Sequence, residues 1–199
     1  MSVSGRLHDS LIFGRRVRVL SDWFAKLAPR DSQILDVGCG DGLISSLIAA
    51  KRPDVTIVGL DVLPRERSHI PVSIFDGERL PCPDKSYDVV MFSDVLHHTR
   101  NPLTSLREAA RVARQCVLIK DHNRKGFAAG PRLRFMDWVG NARYGVSLPY
   151  NYWTEAQWRD GWRDAGLTLE TIITDVGLYP PPMNWIFGAQ LHFVAVLTV

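Results

Sequence analysis

Residues 34–42, ILDVGCGDG, set Gly38, Gly40 and Gly42 directly after an apolar run and bracket them with Asp36 and Asp41. A strand that ends in such a turn and continues into a helix brings backbone N–H groups close to a ligand in the crevice at the strand ends. Dinucleotide loops space their glycines G-x-G-x-x-G and seat a pyrophosphate, which flanking carboxylates would repel. The spacing here is G-x-G-x-G, and a cation or zwitterion suits it better. S-adenosylmethionine has that character, with a sulfonium, an ammonium, a ribose diol and an adenine. The ribose calls for a carboxylate at the end of the next strand, and Asp61 stands nineteen positions after Gly42. The adenine calls for an acceptor at the end of the third strand, where Asp76 precedes Gly77. Taken singly, Asp36 and Asp76 read as turn-capping residues. Their joint placement favours the cofactor, and Cys39, Val62 and Ser93 complete the expected cofactor-binding set.

Methyl transfer is an in-line displacement at a carbon already activated by the sulfonium, so the protein mainly aligns the acceptor and excludes water. A hydroxyl or carbon acceptor also needs a base. The candidates stand at strand ends: Asp94, His97 and His98 in SDVLHH, and Asp121 and His122 in KDHN. Histidine is the best-matched base near neutral pH. The bland reading of His97 and His98 is that they order their loop. Asp94, Asp121 and Asn123 would also offer hard oxygen ligands to Mg²⁺.

Positioning these groups requires a parallel sheet. QILDVG, VTIVGLDV, VSIFD, YDVVMFSD and CVLIKD are short, mostly continuous apolar runs, the pattern of strands buried on both faces. LISSLIAAKR and PLTSLREAARVAR alternate with them at helical spacing, the second opened by Asn101 and Pro102. Thr154 and Gln157 stand at capping-box spacing, and Gly166 marks that helix's end. LTLETIITDV and QLHFVAVLTV are separated by too few residues for a crossover helix, so an antiparallel edge hairpin is expected.

Residues 122–153 lack a strong pattern, and long excursions in compact domains are usually functional or mobile. They are expected to form a lid over the acceptor, with Tyr150 (a candidate catalytic residue), Asn151 and Tyr152 near the methyl group. Arg132 or Arg134 would meet an acidic or planar group. Trp138 and Trp153 read equally well as core, and Phe135 as core or substrate contact. Residues 1–30 form an N-terminal helical segment, amphipathic over FGRRVRVLSDWFAKLAP, with Arg15, Arg16, Arg18 and Lys26 outward. A solvated face is the default there; a membrane-surface or gating role is the alternative.

The chain has 199 residues, 46% hydrophobic, which fits one domain with a sizeable core. Its 24 Lys+Arg against 21 Asp+Glu give a formal +3, far from the dense basic field of non-specific nucleic-acid binders. Cys39, Cys82 and Cys116 make neither a disulfide framework nor a zinc ribbon. No signal core is visible, and WIFGAQLHFVAVLTV is too short and too interrupted to span a bilayer. A soluble, cytoplasmic protein is expected.

ILDVGCGDGLISSLIA, VGLDV, FDGERLPCPDKSYDVVMFSDVLHHTRNP, SLREAARVARQCVLIKD and YWTEAQWRDGWRDAGL together resemble the class I S-adenosylmethionine-dependent methyltransferases, in particular the ubiquinone/menaquinone biosynthesis (type 11) group. The resemblance covers residues from about 33 to 166. It implies a Rossmann-like three-layer α/β/α sandwich with a seven-stranded sheet ordered 3-2-1-4-5-7-6, strand 7 alone antiparallel. By position it implies Gly38, Gly40 and Gly42 along the methionine moiety, Asp36 near its ammonium, Asp61 on the ribose, and Asp76 with Gly77 on the adenine. RVARQCVLIKD replaces the family's usual Pro-Gly-Gly turn. DVLHH is similar to the metal-independent members, so no metal is expected.

Nothing in the resemblance fixes the acceptor. A small-molecule acceptor methylated on oxygen or carbon, with no nucleic-acid partner, leads. An RNA or protein methyltransferase or a non-catalytic partner subunit is the alternative, and an NAD-dependent oxidoreductase trails because of Asp36, Asp76 and the glycine spacing.

Overall fold

A computed structural model describes residues 3–141, 149–188 and 190–199. Of the expected lid, residues 142–148 therefore lie outside the described residues. The elements run α1 (Val3–Leu27), β1 (Gln33–Val37), α2 (Leu43–Lys51), β2 (Thr56–Asp61), β3 (Val72–Ile74) and β4 (Tyr87–Ser93). A 3₁₀ turn (Leu96–His98), α3 (Pro102–Val112), β5 (Ala113–His122), α4 (Ala129–Asn141) and α5 (Glu155–Asp164) follow. The chain ends with β6 (Thr168–Ile173), a π turn (Asn184–Gly188) and β7 (His192–Thr198). The seven strands form one sheet in the order β3-β2-β1-β4-β5-β7-β6. β7 is antiparallel to both neighbours and the remaining pairings are parallel, as expected.

The continuous apolar runs work because neighbouring residues feed opposite faces. Leu35, Val90, Phe92, Ile119 and Ala195 pack with Leu106 and Ala109 of α3 and Trp158 and Trp162 of α5. Ile34, Val89, Met91, Leu118 and Val194 pack with Leu20 and Phe24 of α1 and Ile48 of α2. A sheet so covered is a three-layer sandwich, whose strands read as near-continuous apolar runs.

The helix ends follow local chemistry. Asn101 caps α3 by accepting the Leu103 N–H, and Pro102 occupies the first position, where its missing donor costs nothing. Thr154 and Gln157 form both bonds of a capping box at the start of α5. Gly166 ends the segment at φ +76°.

α1 differs from expectation at one residue. Arg16 does not stand outward: it is part-buried and ion-paired with Asp94, beyond the end of β4. Arg15, Arg18 and Lys26 are exposed. No helix among the described residues is long and apolar enough to cross a membrane. All three cysteines are free.

Candidate active site

The glycine turn is built by opposition between glycines that cannot carry a side chain and one that faces open space. Gly38, Gly40 and Gly42 all have positive φ (74°, 60° and 74°), a region that strains other residues. A Cβ on Gly38 would lie 2.6 Å from Val95 Cγ2, and one on Gly42 would lie 2.4 Å from Ile70 Cγ1. A Cβ on Gly40 would meet nothing within 4 Å. Gly38→Ala is accordingly expected to destabilise the fold by about 2–4 kcal/mol, from overpacking plus left-handed strain. Gly40→Ala should cost only about 1–2 kcal/mol while obstructing the cavity beside it. Urea unfolding of the two variants checks the difference.

Asp61 locks the turn. Its Oδ2 accepts the Gly40 N–H at 2.7 Å and its Oδ1 accepts the Leu63 N–H at 2.8 Å. A carboxylate oxygen can accept two bonds, so each keeps capacity for a hydroxyl donor. Asp41, at the outer side of the turn, accepts the Leu43 N–H at the start of α2. Asp76 Oδ1 accepts the N–H groups of Glu78 and Arg79 at 2.8 and 3.0 Å, which hold its carboxyl below the usual range. That is a turn-capping role, and it leaves Oδ2 with no hydrogen bond among the described residues.

Asp36 is buried. Its Oδ2 accepts the Ser45 hydroxyl at 2.6 Å, while Oδ1 has no partner. Burial pushes its pKa up to about 7, and Asp61 adds to the rise. A cation delivered nearby would relieve this cost. Ser93 Oγ is likewise buried without a partner.

A cavity of about 670 Å³ opens beside the turn. Gly38, Gly40, Asp61, Val62, Asp76, Gly77 and His98 lie on its wall, together with Phe75, Phe92, Asp94 and Val95. Asp36, Cys39, Gly42 and Ser93 are not on the wall; Asp36 is buried, and the Cys39 Sγ fills the space over Gly59. The orphaned Asp36 oxygen, the spare lone pairs of Asp61 and the open Gly40 cradle fit a zwitterionic adenosyl ligand.

Of the expected bases, Asp94 reaches the wall, and so does His98. Burial, reinforced by the neighbouring His97, lowers its pKa to about 4, so it is neutral. His97, Asp121 and His122 gather instead in a buried network off the cavity wall. His97 Nδ1 meets Asp121 Oδ1 at 2.7 Å, and Asp121 Oδ1 and Oδ2 also accept the N–H groups of His122 and Leu96. Burial alone would lower the His97 pKa, but Asp121, with Asp137, outweighs it and lifts it to about 10. Tyr150 stands apart at φ +57° beneath the Arg134 guanidinium, 5.3 Å from its ring centre.

Asn151 and Tyr152 are also off the wall. Asn151 Nδ2 donates to the Thr99 carbonyl at 2.8 Å. Tyr152 is buried with Ala129, Leu133 and Leu191. Phe135 and Trp138 are 54% and 59% exposed, so neither is core. Trp153 packs on Gly161 and against Trp158.

Sequence reasoning missed three residues. Lys120, fully buried, and Arg16 both pair with Asp94, fixing an ionised carboxylate on the cavity wall. Asp137 on α4 bonds Tyr152 Oη and faces His97. Lys120 in VLIKD and Asp137 in FMDWV each interrupt an apolar stretch, and that interruption was the available signal.

A family profile described as "Methyltransferase domain" matches residues 12–172, most of the chain. The chain belongs to the class I S-adenosylmethionine-dependent methyltransferases. A probable S-adenosylmethionine-dependent methyltransferase of Mycobacterium tuberculosis is 34% identical over 116 residues, 54% of this chain and 42% of that protein. The 27-O-demethylrifamycin SV methyltransferase of Amycolatopsis mediterranei is 31% identical over 110 residues, 48% of this chain and 40% of that protein. The matched stretch thus spans less than half the length of these curated relatives. A Haloferax volcanii methyltransferase solved in complex with the Trm112 activator superposes with a TM-score of 0.70 at 16% identity, covering 96% of this chain and 94% of that one. At that identity the methyltransferase fold is what the two share.

Proposed function

We propose that this chain transfers the methyl group of S-adenosylmethionine to oxygen or carbon of a small-molecule acceptor. The observation that carries the reading is the single cavity joining Asp61 and Asp76 at its nucleoside side to Asp94 and His98 beyond the end of β4. Its volume of about 670 Å³ falls within the roughly 300–1,000 Å³ of small-molecule sites. Bound S-adenosylmethionine supplies an electrophilic methyl carbon. Asp61 would hold the ribose hydroxyls, Asp76 and the Gly77 backbone the adenine, and Asp36 the ammonium. Asp94, kept ionised by Arg16 and Lys120, and neutral His98 would orient the acceptor by hydrogen bonds. Residues 122–153, an insert within one methyltransferase domain, would cover the acceptor side, where α4 and the Tyr150–Trp153 segment pack beside the 3₁₀ turn.

The small-molecule preference rests on the weak net charge and on the size of the cavity. The second reading, an RNA or protein methyltransferase or a partner subunit, draws on the exposed aromatic and basic insert, with Phe127 94% and Trp138 59% exposed. The test supplies methyl-labelled S-adenosylmethionine to separate pools of hydroxylated small molecules, RNA and protein. Label is expected in the small-molecule pool; label confined to RNA or protein would replace this reading with the second.

A further inference from the structure

Two neighbouring histidines each bury a ring nitrogen that has no hydrogen-bond partner. The 3₁₀ turn sets His97 and His98 side by side, their ring centres 3.9 Å apart. His97 Nδ1 faces Asp121 Oδ1, and because an ionised carboxylate only accepts, the proton of that bond belongs to His97 Nδ1. In the neutral ring the lone pair is then on Nε2. That Nε2 is buried with no hydrogen bond, and so is His98 Nδ1. Asp137, reaching in from α4, places Oδ2 3.4 Å from His97 Nε2. One ligand atom from each of His97, His98 and Asp137 lies within 4.8 Å of the others. Tyr152 Oη donates to Asp137 Oδ2.

We propose that His97, His98 and Asp137 form a binding site for a divalent transition metal of zinc's chemistry, with Tyr152 beside its fourth position. A 3.4 Å gap is long for an N–H···O bond, but it is the ligand-to-ligand separation, about 3.3 Å, of a tetrahedral ion with bonds of 2.0–2.1 Å. Two imidazoles and a carboxylate are ligands that zinc accepts. Asp121 behind His97 matches the outer carboxylate that fixes the tautomer of metal-bound histidines. It is itself held by the N–H groups of Leu96 and His122. Asp121 and Asp137 supply the two negative charges that offset a divalent ion.

The competing account places a second proton on His97 between Asp121 and Asp137. It satisfies His97 Nε2 but leaves His98 Nδ1 buried and unpartnered beside a positive ring. A metal ion satisfies both nitrogens. It also ties α4, in the insert, to the turn that follows β4. The inference departs from the metal-free expectation drawn from DVLHH, and it stands whether or not methyl transfer is the activity.

The test strips the purified protein with a chelator, dialyses it against zinc alone and measures bound zinc by mass spectrometry. Cobalt(II) substitution then reports the ligand geometry through its visible absorption. One tightly held zinc per chain is expected, raising the unfolding midpoint by about 5–10 °C at a hundredfold excess over the dissociation constant. Outer-sphere changes alone cost about 10–100-fold in metal affinity, so His98→Ala and Asp137→Asn are each expected to lose at least about 100-fold. Asp121→Asn should lose less, and Arg18→Ala, on the exposed side of α1, should bind zinc as the wild type does. Circular dichroism establishes that each variant is folded. Absence of stoichiometric zinc in the wild type would overturn the proposal. So would unchanged zinc affinity in folded His98→Ala and Asp137→Asn.

Discussion

Asp61→Ala is expected to weaken S-adenosylmethionine binding by at least about 100-fold while leaving the chain folded. The Asp61 carboxylate is 5% exposed and already takes one backbone N–H on each oxygen, from Gly40 and Leu63. Both oxygens therefore sit at fixed positions on the cavity wall before any ligand arrives. Hydrogen bonds to charged groups contribute about 1.5–3 kcal/mol each, so losing two from the ribose diol exceeds 100-fold. The substitution also leaves the Gly40 N–H without its acceptor and loosens the turn proposed to line the methionine moiety. Calorimetric titration of the variant measures the loss. An affinity within threefold of the wild type would remove Asp61 from the cofactor site.

The largest effect on stability is expected from Trp158→Ala. Trp158 is 2% exposed and packs between Trp153, Trp162 and Phe193, with ring centres 4.9, 6.0 and 5.2 Å away. Its indole N–H donates to the carbonyl of His122 at 2.9 Å, so the side chain joins α5 to the end of β5. Removing so large a buried aromatic costs about 3–5 kcal/mol. In a chain of this length that lowers the unfolding midpoint by about 6–20 °C. The loss should extend to the site, because His122 and the neighbouring Asp121 support His97. Thermal unfolding followed by circular dichroism checks it; a fall of under 3 °C would show that the three-tryptophan stack is not the anchor of this face.

The strands were legible because burial on both faces leaves an unmistakable pattern. In YDVVMFSD, Val89 and Met91 serve one core while Val90 and Phe92 serve the other, so no polar residue interrupts the run. The glycine turn and the strand-end carboxylates of the candidate site were legible for a related reason. A glycine turn and carboxylates at successive strand ends are local features, and local spacing carries them. The acceptor side depends on contacts that spacing does not encode. Arg16 reaches Asp94 across 78 positions, and Asp137 meets His97 through the packing of α4. His97 and His98 are adjacent in sequence, yet a 3₁₀ turn sends one into the buried network and the other to the cavity wall. A helical or extended backbone would have separated them differently, and the sequence of the turn does not announce which it adopts.

The most direct measurement is calorimetric titration of the wild-type chain with S-adenosylhomocysteine, S-adenosylmethionine and NAD in separate runs. The cavity bordered by Asp61, Asp76 and Gly40 predicts one binding site per chain for each adenosyl compound and none for NAD. Binding of NAD with no response to either adenosyl compound would contradict it.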